Sequence, residues 1–514
     1  MRGLSLFAPI ATLAATLAAA SPAAAQKSKD TLRLAINDPF SIMSSYCVPL
    51  DEVGYFSRGI YDTLIAYDEH NRKFVPQLAK SWTRINPTTV EFELRDDVVF
   101  HNGNKFDADD VITTDKFLQD PAIKIQYKNR YGWIKKIDKL SPHKIRIEAH
   151  EVMAVDLQMI AYRFRIQDAE SYNTLTDKCD YGRLTPYGTG PYKVVSVDRN
   201  QGILVERFDG SKLDPKYSPA PIKRIHGVPL PDRQTQVAQL LTGGIDIVRN
   251  VSPDNAAELA KHPNLEVSVL PTASFYYIVL DAAGRSGHKA VQDPRVRKAI
   301  LLAIDRDALI KNIVPGGRSG VAEKMMGFCF ASNTGCQYSV KYDDYNPAEA
   351  KRLLAEAGYA DGFDIVYDVF TPVKAIGEAI AGELRKVGIR ATVNSVPINV
   401  FYKKWTGGET SMVSVAYPTS SFPDVGNILD TFFGGVRDYA HDPVIQKAME
   451  DGERELDPAK RADIYEKALN RMTEMSYVMA VSSVPTVFAH SKDTGIKKSA
   501  LRAGDYTIND HYWK

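Results

Sequence analysis

The sequence predicts an α/β protein made of two differently built lobes. Three observations lead there. The chain has 514 residues, more than one hydrophobic core ordinarily serves. Its first half is rich in short alternating strands, and its second half alternates helices with strands.

The elements follow in order. Thr31-Leu32-Arg33-Leu34-Ala35 alternates like an opening strand, and Val53, Phe56 and Ile60 then fall at helical spacing over Glu52 to Tyr61. In Thr89 to Leu94 the residues Val90, Phe92 and Leu94 share one face, and Lys144 to Glu148 repeats the pattern, as a sheet with one buried side requires. Thr235 to Thr242 reads as a helix stopped by Gly243-Gly244. Tyr276 to Leu280 is a strand, after which Asp293 as N-cap and Pro294 at the first turn open a helix through Val296, Ile300 and Ile304. Helices over Pro347 to Ala357 and Gly377 to Val387 end at Gly358 and Gly388, a strand spans Arg390 to Val396, and a long amphipathic helix runs from Asp457 to Met475.

Composition narrows the function. Apolar residues make up 44% and charged residues 25%, a globular balance. Lys plus Arg (64) nearly cancels Asp plus Glu (63), leaving a net charge of +1, which argues against nucleic-acid or acidic-membrane partners. Arg2, an apolar stretch from Leu4 to Ala20 and Ala23-Ala24-Ala25 read as a signal peptide over residues 1–25, cleaved before Gln26. A membrane anchor is the alternative, but no Lys/Arg stop-transfer cluster follows. The mature chain is therefore expected to be a periplasmic protein. Of four cysteines, Cys329 and Cys336 enclose a short loop turned by Asn-Thr-Gly and are expected to bond in an oxidising compartment. Cys47 with Cys179 is the leftover pairing, which sequence leaves open. A metal site is disfavoured because no CxxC or nearby His pair completes a ligand set.

Four segments carry a family resemblance. The first is Ala79-Lys80-Ser81-Trp82, then VEFELR (Val90 to Arg95), Val99-Phe100-His101-Asn102-Gly103 and Phe106-Asp107-Ala108-Asp109-Asp110-Val111. The others are Gly188-Thr189-Gly190-Pro191-Tyr192, Asp293 to Ile300 with Ala303 to Arg306, and Tyr345 to Lys351 with Glu356-Ala357-Gly358-Tyr359. In this order they resemble the family 5 bacterial extracellular solute-binding proteins, the peptide-, nickel- and opine-binding class of ABC transporters. The resemblance implies an α/β, two-lobed periplasmic-binding-protein type II fold with an extra subdomain in lobe I. Lobe I is expected over residues 26–270 and 483–514, with the subdomain at about 64–180, and lobe II over 271–482. It also implies a monomer that takes a small-molecule ligand and docks on an inner-membrane permease with its ATPase subunits. No cofactor and no enzymatic activity are expected. The chain holds no G-x-S-x-G elbow, H-E-x-x-H helix or P-loop. His101 reads as a hydrogen-bonded turn histidine.

The resemblance also suggests a ligand. Peptide binders of this family carry Gly-Trp-x-x-Asp, whose Asp pairs with the ligand's amino terminus. Registering Pro423-Asp424 here puts Ala416 at the Trp position and Thr419 at the Asp position, and a hydroxyl matches a buried ammonium poorly. Asn129-Arg130-Tyr131-Gly132-Trp133 is similar to the segment with which nickel-chelate binders face the cleft. There Arg130 offers a donor fork to carboxylates and Trp133 a flat wall; the plainer alternative is a solvated Arg beside a packing Trp. Arg163, Arg165, Tyr46, Tyr417 and Arg437 are weaker candidates. The expected ligand is a small polar solute bearing carboxylates: an opine, a modified amino acid or peptide, or a metal-chelate. Ordinary di- or oligopeptide is the alternative, followed by a glycan fragment and by a periplasmic enzyme or chaperone on the same scaffold.

Overall fold

The computed structural model describes residues 30–48, 50–68, 70–125, 131–419, 422–497 and 506–514. The expected signal peptide and Arg130 lie outside them. Two main sheets organise the chain. The first has seven strands, in spatial order Leu265–Leu270, Thr486–Ser491, Ile247–Arg249, Thr31–Ile36, Arg224–Pro229, Gly202–Arg207 and Tyr192–Asp198. Thr31–Ile36 runs parallel to both of its neighbours, Ile247–Arg249 and Arg224–Pro229. The second sheet has five strands, ordered Ile389–Val396, Phe363–Phe370, Met412–Pro418, Ser274–Leu280 and Val478–Ser483. Each sheet belongs to its own apolar core, as the chain length demanded.

A four-stranded antiparallel sheet stands apart, built from Ala79–Asn86, Thr89–Leu94, Lys144–Ala149 and Ile134–Ser141. Val90, Phe92 and Leu94 are all buried in it, so the alternation assigned the inner face correctly. The adjacent helix Ala108–Gln119 begins with a capping box: Asp107 accepts from Asp109 N, while Asp110 accepts from the backbone of Asp107. The helix read through Ile304 ends at Leu302, and a second one, Arg306–Asn312, starts just beyond it with Asp305 as its cap. The third helix of the second half starts earlier than expected, at Lys374, and runs to Arg385.

The backbone passes between the two main sheets twice, after Leu270 and after Ser483. The crossings lie side by side: Thr272 Oγ1 donates to Val484 O at 2.5 Å, and Val484 N donates to Ser274 O at 2.8 Å. Both cysteine pairs form disulfides, Cys329–Cys336 and Cys47–Cys179.

His101 has the role read from its turn. Its Nδ1 accepts from Gly188 N at 3.2 Å and its Nε2 pairs with Gly190 O at 2.9 Å, which assigns a neutral ring with the proton on Nε2. Burial lowers its pKa from 6.5 to about 4. The folded state therefore binds fewer protons than the unfolded chain between those values, so stability is lost as pH falls through that window. The loss is expected to reach about 3 kcal/mol, and urea midpoints at about pH 7.5 and about pH 4.5 should differ less in His101→Gln.

Candidate functional site

The half built on the seven-stranded sheet (lobe I) and the half built on the five-stranded sheet (lobe II) touch at a small apolar cluster. The helix Asp156–Arg163 of lobe I places Met159 and Tyr162 on one face, one turn apart. Phe422 of lobe II packs against both, its ring 6.3 Å from that of Tyr162, with Arg163 Cζ 4.9 Å from its centroid. Three polar contacts flank this cluster. Ala154 N donates to Glu453 O at 2.8 Å, Gln158 Nε2 to Thr334 Oγ1 at 3.0 Å, and Arg72 Nη2 to Ala331 O at 2.8 Å. Ala331 and Thr334 lie inside the loop stapled by Cys329–Cys336.

Two sizeable cavities lie between the lobes. The outer one, about 330 Å³, has Trp133, Met153 and Met159 from lobe I and Phe422, Asn427 and Glu453 from lobe II among its walls. Its rim carries Glu151, Asp430 and Glu453 beside Arg454, which contacts Glu151 at 3.3 Å. Burial first, then the carboxylates of Asp430 and Glu151, hold Glu453 above the usual carboxylate range. Asp424, also in the wall, is neutralised by Arg461 in a two-pronged pair at 2.6 and 2.8 Å. The inner one, about 320 Å³, sits at the crossings, where Arg58, Arg249 and Asn250 of lobe I face Thr272, Ser274, Ala416 and Pro418. Arg249 ends a strand parallel to Thr31–Ile36, so this cavity opens at the carboxyl edge of parallel strands, where α/β sheets commonly bind ligands.

The residues expected to bind ligand fall in several places. Trp133 lines the outer cavity, and Arg163 lies over the Phe422 ring that seals it. Arg165 donates to Ser45 Oγ at 3.3 Å and shares a small cavity with Arg58, Tyr61 and Asp62. Tyr46 is buried in lobe I, with its hydroxyl held by Arg165 N at 2.6 Å and donating to Arg163 O at 3.0 Å, so it braces the 163–165 segment. Thr419 is fully buried: its Oγ1 donates to Ala273 O at 2.7 Å and accepts from Asn333 Nδ2 at 3.0 Å. That hydroxyl fastens the stapled loop to the crossing. Tyr417 accepts from Asn427 Nδ2 at 2.7 Å and packs on Phe275 and Phe432. Arg437 contacts Asp430 at 3.4 Å, behind the outer rim. Arg58, Arg249, Phe422 and Glu453 escaped sequence reading. The only local signal for Arg249 is a basic residue closing an apolar strand, Ile245-Asp246-Ile247-Val248-Arg249.

Comparison with known proteins agrees with this architecture. The family model described as "Bacterial extracellular solute-binding proteins, family 5 Middle" matches residues 73–440. The chain is 25% identical over 487 residues to di/tripeptide-binding protein 1 of Pseudomonas aeruginosa, covering 88% of each. It is 24% identical over 471 residues to the glutathione-binding protein GsiB of Shigella flexneri, covering 85% of this chain and 86% of the relative. The solved structure of NikA from Brucella suis in complex with Fe(III)-EDTA superimposes with a TM-score of 0.82 at 20% identity, covering 94% of this chain and all (100%) of the other. That of AgaA from A. tumefaciens R10 with agropinic acid gives 0.73 at 23%, covering 94% and 99%. These likenesses establish the two-lobed periplasmic-binding-protein fold. With the family model spanning most of its length, the chain belongs to the family 5 bacterial extracellular solute-binding proteins.

Proposed function

We propose that this chain is the periplasmic capture component of an ABC importer, holding a small, carboxylate-bearing solute between its lobes and passing it unchanged to an inner-membrane permease whose ATPase subunits supply the energy. The observation that carries this reading is that both sizeable cavities have walls from both lobes. A guest in either one stabilises the closed arrangement by mass action, which is what a permease can sense. Exclusion of water there strengthens each polar contact to the guest. In this account residues 1–25 are removed on export and the mature chain acts as a monomer. Lobe I comprises residues 26–270 and 483–514 with its subdomain at about 64–180, and lobe II comprises 271–482.

The cavities differ in charge. The inner one has Arg58 and Arg249 beside Asp51, while in the outer one the carboxylates of Glu151, Asp424, Asp430 and Glu453 outnumber the guanidinium groups of Arg454 and Arg461. A solute with a carboxylate at one end and an amine or apolar group at the other fits this polarity, which suits an opine, a modified amino acid or peptide, or a chelate. Plain di- or tripeptide is the second reading, supported by the names of relatives. Against it stands Thr419, a neutral hydroxyl already engaged by Ala273 and Asn333. Titration calorimetry with agropinic acid, glutathione, Fe(III)-EDTA and Met-Leu separates the two. The carboxylate-rich probes are expected to bind more tightly than Met-Leu and to weaken about tenfold in Arg130→Ala, the loss of one charge-assisted contact. Tightest binding of Met-Leu, unchanged by Arg130→Ala, would refute the anionic reading.

A further inference from the structure

One buried arginine, Arg249, is less well satisfied than Arg33, Arg461 or Arg297. Arg33 grips Asp246 through Nε and Nη2 at 3.1 and 2.9 Å and donates Nη1 to Gly244 O at 2.7 Å. Arg461 holds Asp424 twice and also donates to Gly452 O and Tyr465 Oη, both at 2.8 Å. Arg297 donates to three carbonyls at 2.8 to 3.1 Å. Arg249 is only 9% exposed, yet its two hydrogen bonds are long, 3.3 Å to Asp51 and 3.4 Å to Glu52, and its Nε has no partner. A guanidinium carries five N–H donors, and burying them unmet is costly. The counter-charge beside it offsets burial, since Asp51, Tyr55 and Glu52 together keep the guanidinium above its usual pKa, but it is poorly placed to meet the donors. The Asp51 side chain is 78% exposed, so solvent screens it, and burial holds the Glu52 carboxyl above its usual range, with Oε2 unbonded.

This arginine lines the inner cavity with a second cation, Arg58, and with the side chains of Asn250, Thr272 and Ser274. Its guanidinium lies over the Tyr55 ring, Cζ 4.0 Å from the centroid, which fixes its plane. Asn250 beside it holds φ at 55°, in the left-handed region, which turns the chain sharply where the strand ends. Across the cavity stands Ala416, whose methyl leaves the volume open. The space suffices for a carboxylate and a few attached atoms.

We propose that Arg249 and Arg58 form an anion subsite in the inner cavity, which takes a carboxylate of the captured solute and ties that group to the crossings between the lobes. A planar carboxylate matches the fork of a fixed guanidinium and completes its unmet donors. An anion held by residues on both sides of the crossings favours the lobe arrangement that brings them together. The proposal rests on the capture role above but concerns one subsite only.

Malonate serves as the probe, with inorganic phosphate and glutathione in parallel, read by calorimetry on the mature chain. Wild type is expected to bind malonate in preference to phosphate. Arg58→Gln and Arg249→Lys should each weaken malonate about ten- to a hundredfold. Ala416→Trp fills the cavity without touching charge and should abolish malonate binding. Because Arg249 also supports its own lobe, circular dichroism must show that each variant is folded, and Arg58→Gln and Ala416→Trp decide if Arg249→Lys is not. No malonate binding by wild type, stronger phosphate binding, or malonate binding that survives Ala416→Trp would each overturn the subsite. Glutathione bound by wild type and equally by the variants overturns the subsite while capture between the lobes stands. If no probe of either panel binds wild type, the capture reading fails as well.

Discussion

Replacing Cys47 and Cys179 together by Ser is expected to lower stability by about 5 kcal/mol. The bridge closes a loop across 132 positions, and the chain-entropy cost of leaving so long a loop unclosed in the unfolded state reaches that size. Cys329–Cys336 spans only 7, and the same relation gives about 2 kcal/mol for its loss. The longer bridge also ties down the segment around Tyr46. Met43 N donates to Gly182 O at 2.6 Å, and Tyr61 Oη donates to Met43 O at 2.9 Å. Its removal should therefore loosen the floor beside Arg165 as well as shift the denaturation midpoint. Guanidinium unfolding of the double variant, with wild type plus reductant as a second arm, checks the magnitude. Equal losses for the two bridges would contradict the loop-length account.

Asp424→Asn is expected to cost about 3 to 5 kcal/mol, because it leaves the Arg461 guanidinium buried without its counter-charge. The substitution isolates charge from shape. Asn can still accept from Gly426 N, as Asp424 Oδ1 does at 2.8 Å, so the cap of the helix Val425–Phe433 survives. A double variant, Asp424→Asn with Arg461→Met, should recover much of the loss, since no charge is then left unpaired. Chemical denaturation of Asp424→Asn, Arg461→Met and the double variant tests this cycle. Because Phe422 is two residues away and seals the outer cavity, the single variant should also bind its solute more weakly than the stability loss alone explains.

What the letters revealed and what they hid divide along a physical line. Local rules placed the helix starts at Asp293 and Asp457, where an Asp precedes a Pro and the side chain meets a free N–H. Alternation picked the buried face of Thr89–Leu94 for the same local reason. The break at Asp305 was missed because the apolar spacing continues through Ile304 while the side chain of Asp305 begins a new helix. The cleft was harder still. Trp133 and Ala416 could be placed by motif, but Arg58, Arg249 and Phe422 come together only through two sheets and two crossings, which leave no trace in spacing along the chain. Thr419 illustrates the converse: aligned to a ligand-contacting position, it proves to be an internal tie to Ala273 and Asn333. Motif matches reported architecture reliably, since capping and core packing are local demands. They did not report which donors face the cavities.

Native mass spectrometry of the chain purified under native conditions from the cells that make it tests the central claim most directly. The account predicts one small solute carried per chain, released chemically unchanged on denaturation and absent from Ala416→Trp purified alongside. A chain that carries nothing after growth in solute-rich medium, or that releases a chemically altered guest, would contradict it.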